Sequence, residues 1–184
     1  MTETKVKKDT ELIRSTAFIS ICTAGLCLGS VFAIPLPFSA AMLSFLTVFV
    51  NLTALCLKRK EALLSVLLWL FMGAIGLPVF SGASGLSRLT SPAGGYYIGL
   101  VVAVFLISSF KGKIPELKRY ILLTVLLGIP SEHICAVFFM SLTTGASVGA
   151  CFMSISLPFI ATDIIKAIAS AVIAVPLNKA ISKI

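Results

Sequence analysis

Long apolar runs alternate with short polar connections along this chain. Six runs approach the length of a membrane-crossing helix, at approximately residues 15–34, 40–57, 62–77, 94–110, 120–142 and 149–175. Such a helix needs roughly 20 predominantly apolar residues, with shorter ones tolerated. The pattern therefore predicts an all-α integral membrane protein of six transmembrane helices, forming one domain over residues 1–184 with a basic segment, 1–14, ahead of the first helix. The first run leads into "AIPLPF" and a further apolar run, with no small-residue cleavage pattern in polar sequence, so a mature helix is expected there and not a secretory leader.

Composition agrees with a bilayer as the solvent. The chain is 58% hydrophobic and only 12% charged, where a soluble domain is nearer a quarter charged. Its net charge of +8 would suit a polyanion, but the placement of the charges points elsewhere. Lys5, Lys7, Lys8 and Arg14 precede the first run, and Lys58, Arg59 and Lys60 separate the second from the third. Lys111, Lys113, Lys118 and Arg119 separate the fourth from the fifth, and Lys179 and Lys183 follow the sixth. Thirteen of the 15 basic residues thus fall on alternate connections, which share one face of the membrane; the other face has Arg88 alone, and Lys166 lies within a helix. Basic residues stay in the cytoplasm, so both termini are expected there. No nucleic-acid partner is expected, because no basic cluster is interleaved with stacking aromatics.

Several chemistries find no support. Cys22, Cys27, Cys56, Cys135 and Cys151 form no C-x-x-C pair and read as packed thiols. His133 is the sole histidine, so neither a metal cluster nor a cofactor is expected. No G-x-x-x-x-G-K-[ST] loop is present to bind ATP. "GASVG" at 145–149 lacks the strand-to-helix turn and downstream histidine of a nucleophile elbow. "GASG" at 82–85 resembles the G-x-S-G of rhomboid intramembrane proteases, which makes Ser84 a remote candidate nucleophile, but the sixth run has no histidine to activate it.

The informative features lie toward the other face. "GLPVFSGASGLSRLTSPAGGYYIG", residues 76–99, is rich in Gly, Pro and Ser, with aromatics at Phe80, Tyr96 and Tyr97. Irregular backbone of this kind is tolerated in a membrane where it is buried in protein or lines a wet cavity. Asp163 and Lys166 sit inside the sixth run, three apart and so on one helical face. Each costs about 2.5–3.5 kcal/mol at a bilayer centre on insertion scales, which calls for a partner. Lys166 is nine residues past Leu157, or about 13 Å down a helix. That depth puts the pair beneath the glycine-rich loop, outward of the midplane. The pair is either a private salt bridge or the charged floor of a site for a small, partly apolar anion. Glu132 and His133 fall near mid-membrane on the fifth run, as a satisfied core pair or a proton relay. Thr16, Ser20 and Ala24, with Gly25 and Gly29 beside them, make a small-residue stripe that permits close helix approach.

"IPLPFS", "GAIGLPVFSGASG" followed by "SPAGGYYIG", and "PFIATDIIKA" resemble, in order and spacing, the motifs of the BioY family, the biotin-binding S components of energy-coupling factor (ECF) vitamin transporters. Here "SPAGGY" stands for the family's "GPTGGY", and "ATDIIK" for a "PGDLLK"-like run. The resemblance implies an S-component bundle with an outward-facing pocket capped by loops, which captures biotin at the cell membrane. It implies a transmembrane T component and two ABC-type ATPases as partners, with the first helix docking on the T component. Carried onto these residues, Lys166 offers a cation to the biotin carboxylate, and Asp163 accepts from the ureido N–H groups or orients Lys166. Phe80, Tyr96 or Phe38 would pack on the ring, Gly82 to Ser84 would offer backbone and hydroxyl hydrogen bonds, and Glu132 and Ser81 are secondary candidates. The alternative is a self-sufficient carrier, proton-coupled through Glu132. No enzymatic activity is expected.

Overall fold

The computed structural model describes residues 2–35, 42–81 and 84–182. In order, the elements are α1 (Thr2–Val31), β1 (Ala33–Pro35), β2 (Met42–Ser44), α2 (Leu46–Cys56), α3 (Arg59–Ala74), α4 (Leu86–Leu89) and α5 (Gly95–Phe110). They continue as α6 (Leu117–Leu123), α7 (Ile129–Thr144), α8 (Val148–Cys151) and α9 (Leu157–Ile181). A π-turn, Thr124–Gly128, joins α6 to α7, and another, Phe152–Ser156, joins α8 to α9. Leu117–Thr144 and Val148–Ile181 are therefore each one continuous helix.

The six apolar runs all fall on helices, with two departures. Where the first two runs meet, the chain is not helical: Met42–Ser44 of the second is extended and pairs antiparallel with Ala33–Pro35 at the end of the first, Ala33 opposite Ser44. Pro35 shares this extended geometry, since its fixed φ suits an edge strand and it has no N–H to give a ladder. The first helix also reaches back to Thr2 through the basic segment, whose Lys and Glu residues are good helix formers with no breaker among them.

The two π-turns have a local cause. Pro130 and Pro158 lie at the second positions of α7 and α9. A proline there cannot donate to the preceding turn and crowds its carbonyls, and a widened turn relieves both conflicts. Such bulges tend to occur at functional sites. Glu132 and His133 follow the first by one turn, and Asp163 and Lys166 follow the second by two.

In the bundle, α5 packs on α7, α2 on α9 and α1 on α3. Trp69, Phe80, Leu26 and Leu55 are fully enclosed, whereas Ile13, Phe71, Phe138 and Ile165 are exposed. A bundle apolar inside and out suits a hydrocarbon solvent. Lys8–Val31, Leu117–Thr144 and Val148–Ile181 are long and apolar enough to cross a membrane; Leu46–Cys56 and Gly95–Phe110 are shorter apolar helices.

The basic connections converge at one end. Arg14 donates to the Ile181 carbonyl at 2.7 Å, tying the first helix to the last. Lys111 donates to the carbonyls of Leu55, at 2.9 Å, and Leu57, capping α2. Glu61 accepts from the Ser15 hydroxyl at 2.8 Å. The hairpin, the glycine-rich loop and the α7–α8 turn occupy the other end.

Candidate ligand-binding site

At that other end the glycine-rich loop is pinned before it reaches the site. The Trp69 indole donates to the Val79 carbonyl at 3.1 Å. The Phe80 ring lies against Gly73, where a Cβ would come within 2.1 Å of it, and the Gly85 N–H donates to the Gly73 carbonyl at 2.8 Å. Trp69, Phe80 and Tyr97 form an aromatic cluster with centroids 4.7–5.8 Å apart. Phe80, expected against the ligand, is 0% exposed and works as the plug that fixes the loop to α3. Just beyond it Ser81 adopts φ +53°, a left-handed conformation unusual for a residue with a side chain. Strain of this kind persists where surrounding structure imposes it, often at a site.

Below this loop is a cavity of about 80 Å³. Ser44 and Thr47 form one wall and Tyr96, Tyr97 and Leu100 of α5 another, with Phe159 from α9 and Ser81 and Arg88 from the loop region. Its charged lining is Arg88, Glu132, Asp163 and Lys166. A second, mainly apolar cavity of about 550 Å³ opens between Phe32, Phe45 and Ile165 and shares Ser44 and Lys166 with the first. The first cavity is smaller than the roughly 300–1,000 Å³ usual for small ligands, and the Lys166 side chain lies in the wall that the two have in common.

The Lys166 ammonium donates to Asp163 Oδ1 at 2.9 Å, and His133 Nε2 lies 3.2 Å from Oδ2, near enough for an ionic contact but not aligned as a hydrogen bond. Tyr96 donates to the Ile155 carbonyl and has its hydroxyl 3.4 Å from His133 Nδ1, which orients the imidazole. Asp163 is thus held from two helices, yet Lys166 keeps 14% of its side chain exposed and two of its three donors uncommitted among the described residues. Arg88 Nε is buried with no hydrogen-bond partner among the described residues. A guanidinium offers a fork suited to a carboxylate, and this one, beside the Tyr97 side chain, also lines the cavity.

Of the residues singled out in the sequence, Lys166, Asp163, Tyr96, Glu132 and Ser81 line the same cavity. Ser84 is described but is not among the lining residues, and Phe38 and Gly82 lie outside the described residues. Arg88 and Tyr97 also line the cavity, beyond the residues expected from the sequence. A sequence signal does mark Arg88: it is the one basic residue in the connections that alternate with the basic ones. Among the described residues no group of His, Cys, Asp and Glu is arranged to hold a metal ion.

A membrane-embedded helical bundle with a charged, aromatic-walled cavity at one end is the anatomy of a solute-binding transporter subunit. The comparisons agree: the BioY family model matches residues 1–183, and the chain belongs to that family. It is 35% identical over 127 residues to the "Probable biotin transporter BioY" of Pyrococcus horikoshii, covering 68% of this chain and 74% of that one. It is 29% identical to the "Biotin transporter BioY" of Thermotoga maritima, covering 92% and 96%. Among solved structures, the S-component for biotin from an ECF-type ABC transporter superimposes with a TM-score of 0.82 at 25% identity, covering 92% of this chain and 93% of that one.

Proposed function

We propose that this chain captures biotin for uptake across the cell membrane, as the substrate-specific S component of an ECF-type transporter. The observation that carries the reading is the meeting of the Asp163–Lys166 pair and the Arg88 guanidinium in one aromatic-walled cavity. In this reading the bundle has six spans, and its basic end, with both termini, faces the cytoplasm; the cavity end then faces outward. Energy comes from a separate T component and its two ATPases, in keeping with a chain that has no nucleotide-binding loop of its own. The exposed stripe Thr16, Ser20 and Ala24 on α1 is the face offered to the T component.

The ligand's two polar ends divide the charged groups between them. Biotin carries a ureido group at one end and a carboxylate at the other. Asp163 and Lys166, 2.9 Å apart, serve the same end, as acceptor and donor against a ureido N–H and its carbonyl. Arg88 then takes the carboxylate. The bicyclic ring lies against Tyr96, Tyr97 and Phe159. A ligand of this size enters only as the lining moves, and displacement of the Lys166 stem joins the two cavities that share it.

Titration of the purified protein with biotin and with biotin methyl ester tests this. Wild type is expected to bind biotin saturably at one site and more tightly than the ester. Arg88→Ala should lose at least tenfold for biotin, the scale of a hydrogen bond to a charged group, and little for the ester. Absence of saturable biotin binding by the wild-type protein would sink the reading.

A further inference from the structure

The larger of the two cavities has no task so far beyond the room it gives the Lys166 stem. It encloses about 550 Å³ between Phe32 and Ala33, Phe45 ahead of α2, and Thr162, Ile165 and Lys166 of α9, a volume usual for a small ligand. Its mouth opens sideways. Phe32, Phe45 and Ile165 at its edge are 66%, 60% and 68% exposed. Leu157, Ile165 and Val172 are spaced eight and seven apart, so exposed apolar side chains run along one side of α9 above and below the mouth. Ile21 and Leu28, seven apart on α1, form a second such stripe. In a membrane-spanning bundle these stripes face acyl chains, so the mouth lies at hydrocarbon depth and not among the headgroups. Nor do the polar groups that α9 gives the cavity call for water. The Thr162 hydroxyl donates to the Phe159 carbonyl at 2.8 Å, and the Lys166 ammonium donates to Asp163 Oδ1 at 2.9 Å. An apolar cavity takes apolar contents, and an empty one deprives its lining of contacts.

We propose that this cavity is a site for one acyl chain of a membrane phospholipid, and that the chain competes with the transported ligand for the space behind Lys166. The bilayer supplies the chain at the level of the mouth, with its headgroup left in the interface. A free fatty acid fits less well, because Lys166 is the one basic residue among the described lining and its ammonium is turned to Asp163. The competition follows from the wall that the cavities share. Entry of the ligand moves the Lys166 stem, and the stem can move only into the larger cavity, where the chain lies. Coupling of two binding sites is reciprocal, so a bound ligand expels the chain to the degree that the chain opposes the ligand. The acyl-chain site stands on the geometry alone, and its competition with the ligand rests on the biotin reading above.

The experiment reconstitutes wild type, Thr162→Trp and Ala33→Phe in nanodiscs with a phosphatidylcholine that carries a diazirine in one acyl chain, and maps the photoadducts by peptide mass spectrometry. Wild type should be labelled on the lining, at Ala33, Thr162 or the Lys166 stem, as well as at Phe71, which is exposed elsewhere on the bundle. The two substitutions fill the cavity from opposite walls. Each should lower labelling of the remaining lining about tenfold, since a close-packed interior leaves no room for a chain, and leave Phe71 unchanged. Melting of each variant screens for misfolding, and either variant alone decides the point. In wild type, saturating biotin should lower labelling of the lining in the same way. Labelling of Phe71 without the lining overturns the proposal. So does labelling of the lining that survives both substitutions, or that only a diazirine-bearing free fatty acid gives. Saturable biotin binding that leaves the labelling unchanged overturns the competition. If wild type binds no biotin, the biotin reading and the competition fail together, and the two variants still decide the acyl-chain site.

Discussion

Lys166→Met should weaken biotin binding by at least tenfold and also destabilise the ligand-free protein, and the two losses have separate causes. Asp163 and Lys166 are a nearly dry pair, with 9% and 14% of their side chains exposed. Removing one member of a buried pair costs about 3–5 kcal/mol, because the remaining charge is left uncompensated. Here the orphan would be Asp163, with only His133 beside it. The double variant Asp163→Asn, Lys166→Met removes both charges and should recover most of the stability, since replacing a whole buried pair is often neutral or better. It should not recover binding, because the ureido edge then faces neither its cation nor its carboxylate. Melting and titration on the two variants separate the effects. Recovery of both together would mean that the pair is a private salt bridge with no part in recognition.

Gly99→Ala is the second large effect, and it acts without touching a charge. The α5–α7 seam is closed by Gly95 and Gly99. A Cβ at Gly95 would lie 2.4 Å from the Cys135 carbonyl oxygen and 2.8 Å from the Ala136 Cα, and one at Gly99 would lie 2.6 Å from the Glu132 Cα and 2.8 Å from the Ser131 carbonyl oxygen. These neighbours are backbone atoms, which cannot swing aside as a side-chain tip does. Overpacking of this kind typically costs about 1–3 kcal/mol. The displacement also carries Glu132 and His133 away from Asp163, so biotin affinity should fall tenfold or more. Gly149→Ala, where a Cβ would meet nothing within 4 Å, is the control and should leave both stability and affinity near wild type. Normal binding by Gly99→Ala would show that the α5–α7 spacing does not set the site.

Much of this was legible in the chain because the membrane imposes a coarse code. Apolar runs located every long helix, and the convergence of Arg14 on Ile181 and of Lys111 on the end of α2 is the physical counterpart of the charge asymmetry. Asp163 and Lys166 stood out because charge inside an apolar run is conspicuous. What escaped was short or non-local. A three-residue strand such as Met42–Ser44 shows no readable alternation, and its partner is known only once the chain folds back. Phe80 and Tyr97 are aromatics of the same glycine-rich stretch; which one faces the cavity depends on the Gly73 notch that receives Phe80, and a linear pattern does not contain that. In the small-residue stripe on α1, Gly25 and Gly29 admit Phe49 of α2. The close α5–α7 approach that sets the site is instead at Gly95 and Gly99, within the motif "GGYYIG", whose glycines look like loop in the sequence.

A structure of the protein with biotin bound tests the central claim most directly. The account predicts the vitamin beneath the glycine-rich loop, its ureido atoms at about 3 Å from Asp163 and Lys166 and its carboxylate on Arg88. Biotin lodged elsewhere, with the Asp163–Lys166 pair making no contact to it, would contradict the account.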